Sequence, residues 1–229
     1  MRFRKPITAV SVVGLMALAA CGGTSNGPGI GSDSFKEGGG AGAGRDPNRQ
    51  APAADIAGAR PGGVVHVISN DGLNTMDPTE AYYINTGSIL SNLVTRSLTQ
   101  YVYDDKTGEM TLIPDLATDL GTPNDDYTRW TFTIRDGVKY ENGTPVTAKD
   151  VAFGIKRSFD RATFPEGPAY SNDYFKDGDK YKGPYSSSKS YNGVQVDGNT
   201  LTIEMAKPFP DMPYWGTFPA MGPIPEGKA

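Results

Sequence analysis

Residues 130–161 read WTFTIRDGVKYENGTPVTAKDVAFGIKRSFDR. The first half alternates. Trp130, Phe132, Ile134, Val138 and Tyr140 take even positions, and Thr131, Thr133, Arg135 and Lys139 take odd ones. A period of two places the apolar set on one face of a sheet and the polar set in water. Asp136-Gly137 and Asn142-Gly143 are turn pairs, because Asn, Asp and Gly accept positive φ at low cost. Pro145 has no amide proton to donate, so strand pairing is expected to end there. Thr147 then suits an N-cap, with Asp150 three residues on as a variant of the capping box. Ala148, Val151, Ala152, Ile155 and Phe159 follow at helical spacing. Lys149, Lys156, Arg157 and Asp160 are expected on the outer side.

The ordered run W-T-F-x-I-R-D-G-V-K-Y-x-N-G-T-P-V-T-A-K-D-V-x-F-x-x-x-R resembles the signature of extracellular solute-binding proteins of the peptide type, family 5. A generic strand, turn and helix accounts for the physics of the stretch but not for the coincidence of so many residues. The resemblance implies an α/β, periplasmic-binding-protein-like fold with two lobes and mixed sheets. It implies a receptor for an ABC importer of oligopeptides, dipeptides or another small solute, acting with permease and ATPase subunits. The ligand is then expected between lobes that close about a hinge.

The chain has 229 residues, is 37% hydrophobic and 21% charged, and carries a formal charge of −4. This is ordinary globular composition. No basic run or aromatic-basic interleaving occurs, which argues against a nucleic-acid partner. The single cysteine, Cys21, rules out an intrachain disulfide.

The N-terminus reads as an address. Arg2, Arg4 and Lys5 precede an apolar stretch over residues 7–20 that is short for a membrane span and suits a signal-peptide core. Leu18-Ala19-Ala20-Cys21-Gly22 follows and resembles the bacterial lipobox. Residues 1–20 are therefore expected to be a lipoprotein signal peptide, and Cys21 the lipidated residue that anchors the protein to the outer face of the cell membrane. The competing reading is a free or buried thiol behind a plain signal sequence. Residues 22–60 hold 11 glycines among 39 residues. Such a composition cannot bury enough apolar surface to order itself, so 21–61 is expected to be a disordered tether. A flexible chain of that length spans roughly 35 Å.

Residues 62–229 are expected to form most of the first lobe. Residues 64–69, VVHVIS, read as a buried strand. Residues 70–78 follow, and their Met76-Asp77-Pro78 takes the place of the family's L-D-P. By that resemblance Asp71, Gly72, Leu73 and Asn74 are candidate ligand contacts; as a bare sequence they also read as a strand-terminating loop. The oligopeptide branch often has a glutamate just ahead of this segment, and here Gly72 stands near that place beside Asp71. Residues 86–100 read as a helix with Ile89, Leu90, Leu93, Val94 and Leu98 on its apolar side. Residues 98–103 and 109–112 read as a hairpin around Asp104-Asp105-Lys106-Thr107-Gly108. That turn lacks the twelve-residue pattern of a calcium loop and reads as a solvated turn. Pro114-Asp115-Leu116-Ala117 resembles the family's P-x-L-A step.

Beyond the signature helix, Tyr170, Tyr174, Tyr181, Tyr185 and Tyr191 read as rings packing a long irregular segment onto the body. The resemblance offers Tyr170 and Tyr174 as ligand contacts. Residues 194–205 read as a second hairpin that buries Leu201, Ile203 and Met205. A short aromatic helix is expected over residues 212–218, followed by a Pro-containing turn.

By the family pattern the chain reads as an N-terminal fragment, expected to bind solute weakly or not at all alone. Strands whose partners lie elsewhere are expected to leave open edges and apolar faces. An enzyme is the weaker reading. His66 is the only histidine, it sits in the expected strand, and no nucleophile elbow, P-loop, dinucleotide fingerprint or Cys/His metal set occurs. No cofactor or metal is expected. A surface interaction or signalling lipoprotein on the same fold is the alternative to the importer receptor.

Overall fold

The structure is a computed structural model that describes residues 44–51, 58–60, 62–69, 71–104, 108–186 and 190–226. The chain divides into Met1–Gly38 and Gly39–Ala229, and every described residue belongs to the second unit. The expectations for the signal peptide and for Cys21 lie outside the described residues.

The alternating stretch forms β5, Arg129–Thr133. It lies in a four-stranded antiparallel sheet with β4 (Thr122–Pro123), β7 (Thr200–Glu204) and β6 (Val194–Asp197), in the order β4-β5-β7-β6. Register joins the apolar positions into rows: Trp130 with Ile203 and Val194, and Phe132 with Leu201 and Val196. Trp130, Phe132, Ile134, Leu201, Ile203 and Met205 are all buried, as the alternation requires. The Asp136-Gly137 and Asn142-Gly143 turns place both glycines at φ +81°. Pro145 makes only an isolated bridge with Lys139.

Helix α2, Ala148–Arg157, then covers the sheet with Val151 and Ile155 fully buried. Its capping box is complete. Asp150 N donates to Thr147 Oγ1 at 3.3 Å, and Thr147 N donates to Asp150 Oδ2 at 2.8 Å. Two donors left over at the helix start are thereby satisfied.

The second sheet has the order β1-β3-β2, with β1 at Gly44–Arg45, and is built on the expected hairpin of β2 (Thr99–Asp104) and β3 (Glu109–Pro114). Residues 114–117 lead from this sheet to the first: Arg135 N donates to Leu116 O at 2.8 Å, and Ala117 bridges Ile134.

Four expectations need correction. Residues 44–51, placed in the tether, dock on the hairpin instead. Gly44–Arg45 forms β1, parallel to β3, and Ala51 is buried. Arg45 Nε donates to Tyr214 Oη at 3.0 Å, and its guanidinium lies over that ring at 4.6 Å. Main-chain pairing and one stacked arginine hold a segment that composition alone leaves loose.

Residues 64–69 are neither strand nor buried; Val65 is 82% and Ile68 96% exposed. They have no ladder partner among the described residues, and β-propensity expresses itself only against a neighbour. His66 is exposed with them.

The helix expected over residues 86–100 is α1, Ile84–Ile89, continued by one wide turn over Leu90–Val94. Thr95 closes it, since both its amide and its hydroxyl reach Leu90 O, at 2.8 and 3.1 Å. Leu98 therefore enters the strand side of the core, while Leu93 and Val94 face solvent.

Arg157 and Asp160, expected outward, are 5% and 3% exposed. Later chain folds over that end of α2. Arg157 lies over the Phe164 ring at 4.4 Å, and Asp160 takes the Thr163 amide at 3.0 Å with Gly183 against it.

Candidate functional site

The segment at residues 71–80 is shaped by short-range hydrogen bonds centred on Asp77. Asp77 N donates to Thr75 Oγ1 at 2.9 Å, and Thr79 N donates to Asp77 Oδ1 at 2.8 Å. Glu80 N donates to Asp77 O at 3.1 Å. Asp and Thr favour such turns because their side chains replace backbone partners. The tip of the segment is tied to the first turn of α1: Asn85 Nδ2 donates to Gly72 O at 2.9 Å and Thr86 Oγ1 to Asn74 Oδ1 at 2.6 Å. Asp71, Gly72, Leu73 and Asn74 remain exposed.

Tyr170 and Tyr174 begin and end α3, Tyr170–Tyr174, one turn apart and both exposed. This is a short helix where the sequence suggested irregular chain. The expectation that tyrosines pack the segment down holds at Tyr181 and Tyr191, which are buried and stacked with centroids 4.4 Å apart.

Around α3 the rings form a continuous ridge. Tyr170 lies 6.4 Å from Tyr82, 5.5 Å from Trp215 and 6.4 Å from Phe218. Tyr174 lies 5.2 Å from Trp215 and 5.5 Å from Phe209. Trp215 belongs to α4, Met212–Trp215. The neighbouring Tyr82 hydroxyl pushes the Tyr170 phenol above its ordinary value.

Beside this ridge an open cavity of about 620 Å³ lies between α1 and β2. Tyr82, Tyr83, Ser88, Ser91, Gln100 and Phe218 line it. Asp115 reaches it too, but that carboxylate is held by Arg96, with Arg96 Nε at 2.8 Å. The surface is thus aromatic and amide- or hydroxyl-bearing, with its one carboxylate neutralised. It suits stacking and hydrogen bonding to an uncharged backbone. None of the six residues singled out from sequence lines the cavity itself. Tyr170 reaches its rim through Tyr82 and Phe218, and the 71–74 loop reaches it only through α1. Tyr82, Trp215 and Phe218 were not singled out as site residues from sequence; the Tyr82-Tyr83 doublet after Met76-Asp77-Pro78 and the aromatic stretch at residues 212–218 were the available signals. No group of three or more His, Cys, Asp or Glu able to hold a metal occurs among the described residues.

Residues 111–229, just over half of the chain, match the family described as bacterial extracellular solute-binding proteins, family 5 Middle. The chain belongs to this family. The oligopeptide-binding protein OppA of Bacillus subtilis (strain 168) is 33% identical over 111 residues, which are 48% of this chain and 20% of that protein. Among solved structures, a clavulanic acid biosynthesis oligopeptide binding protein 2 superposes with TM-score 0.62 at 30% identity, over 68% of this chain and 28% of that one. OppA of Listeria monocytogenes bound to peptide superposes with TM-score 0.53 at 26% identity, over 66% and 28%. The chain thus spans about a fifth of the curated relative and under a third of these solved structures. The mixed α/β architecture with its two sheets is that of periplasmic binding proteins of family 5.

Proposed function

We propose that the chain is the N-terminal portion of a peptide receptor serving an ABC importer. Family membership carries this reading, and the relatives named for oligopeptides or solved with peptide support the ligand class. Residues 1–20 act as the signal peptide, Cys21 takes the lipid, and the chain ahead of Gly44 is the tether. Residues 62–229 contribute most of the first lobe. The lobe sits on the outer face of the membrane and hands its solute to permease and ATPase subunits. No enzymatic step is assigned.

Asp71, Gly72, Leu73 and Asn74 offer main-chain and short polar groups to the peptide, while Tyr170 and Tyr174 present rings and hydroxyls. Main-chain hydrogen bonding gives affinity with little side-chain selectivity. Titration of the isotope-labelled chain with a mixture of short peptides tests the reading by NMR. Even a millimolar affinity, about −4 kcal/mol, registers as chemical-shift change. Weak shifts clustered at residues 71–74, 170 and 174 are expected; shifts confined elsewhere overturn the assignment. Cys21→Ser is expected to release the protein from the membrane fraction of expressing cells.

A further inference from the structure

Arg157 ends α2, the helix with the complete capping box that packs on the first sheet, and is buried although charged. Burying a guanidinium is costly unless its donors are met and its charge is balanced. Three contacts do this. Arg157 Nη2 donates to Asp77 Oδ2 at 2.7 Å and Nη1 to Asp77 Oδ1 at 3.3 Å, a two-pronged pair. Nε donates to Tyr185 Oη at 3.1 Å. The Phe164 ring lies under the guanidinium carbon at 4.4 Å.

The geometry points to a role for Arg157 beyond packing: it is a positioning residue that, through Asp77, sets the place of the exposed 71–74 loop. Asp77 is the hub of the 71–80 segment, taking the Thr79 amide on the same oxygen that faces Arg157 Nη1. Thr79 behind it is buried, with Gly167 packed against its carbonyl. The loop therefore has a rigid root at residues 77–80 and a tip tied to α1. The Asp77 pair is the ion pair that joins the described part of this segment to the core. A planar fork matched to a carboxylate fixes orientation as well as distance, which a lysine ammonium does not. The inference rests on the proposed reading of residues 71–74 as ligand contacts, but its test needs no ligand.

The experiment is backbone ¹⁵N relaxation on the whole chain without peptide, comparing wild type with Asp77→Asn and with the double variant Asp77→Asn/Arg157→Gln. Asparagine keeps an oxygen for the Thr79 amide and removes the charge. The double variant leaves no unpaired buried cation, so it stays informative if the single variant unfolds. In wild type, amides of residues 71–77 are expected in the rigid range, order parameters of about 0.85. In the variants they are expected to fall below about 0.6, with β5, β6 and β7 unchanged. Unchanged loop order, or an equal loss across the sheet, overturns the inference. Arg157→Lys with Asp77 intact should keep only part of the order, because an ammonium fixes distance but not orientation. Failure of the peptide titration would remove the ligand role of the loop while leaving this result intact.

Discussion

Gly154, in the middle of α2, faces the carbonyl oxygen of Gly222, and a Cβ on Gly154 would overlap that oxygen. Gly222 in turn lies against the Arg96 carbonyl, which a Cβ there would approach to 2.6 Å. Three chain segments meet at main-chain distance, and Ile224 N adds a hydrogen bond to Asp150 O at 3.1 Å. In an exposed helix, Gly→Ala gains about 1 kcal/mol. Here the sign reverses, because the neighbour is backbone and cannot turn aside. Gly154→Ala is expected to destabilise by about 1–3 kcal/mol, the usual cost of overpacking. Urea denaturation checks it; a variant as stable as wild type would show that the close approach yields freely.

Thr147 and Asp150 exchange hydrogen bonds at the start of α2. Thr147→Ala removes the acceptor for the Asp150 amide and should cost about 1 kcal/mol. Thr147→Ser keeps the oxygen and should cost much less. The comparison, read by thermal unfolding, separates the cap from the packing of the threonine methyl.

What could be read from sequence follows from the range of each interaction. β5 and α2 were legible because a local period decides both the element and its buried face. Arg157 and Asp160 misled for the same reason: the period describes the helix alone, and Phe164 and Gly183 cover its end from further along the chain. Residues 64–69 have strand composition, but composition does not supply a partner. At the candidate site, Met76-Asp77-Pro78 and the two tyrosines of α3 were visible as motifs. The ridge that joins Tyr82 to Tyr170 and Trp215 was not, since no spacing in the chain relates three such distant positions.

Tyr181 and Tyr191 stack on one another, and both meet Phe159 at steep angles, edge-on for Tyr181 and tilted for Tyr191, with centroids 5.3 and 4.8 Å from its ring. Burial, aided by the Asp160 carboxylate, pushes the Tyr181 phenol up to about 12. Burial also raises Tyr191, with Asp177 and Tyr181 adding to it. An unfolded tyrosine ionises near 10. The unfolded state therefore loses these protons first, and the folded state binds more protons above pH 10. Stability from the pair is fully present below pH 10 and is expected to fall as pH rises towards 12. The hydroxyls differ. Tyr191 Oη donates to Lys176 O at 2.7 Å, whereas Tyr181 Oη meets no partner among the described residues. At pH 7, Tyr191→Phe should cost about 1 kcal/mol and Tyr181→Phe nothing, or should gain up to about 1 kcal/mol. Each variant should also flatten the alkaline loss, as followed by denaturant midpoints between pH 8 and 12.

The exposed run at residues 64–68 makes the last prediction. Val64, Val65 and Ile68 are 80%, 82% and 96% exposed, all β-branched and within five residues of chain. Unpaired main chain flanked by such side chains is a template for pairing with another copy. Each residue already faces water, so replacing it removes no packing. Val65→Lys with Ile68→Lys should leave the denaturation midpoint within about 0.5 kcal/mol of wild type. The same pair should lower self-association, read by sedimentation velocity at several concentrations. The two added charges would repel across any edge-to-edge contact, as lysines do on natural edge strands. A drop in stability instead would mean that these side chains are buried in solution, and that the run has a partner after all.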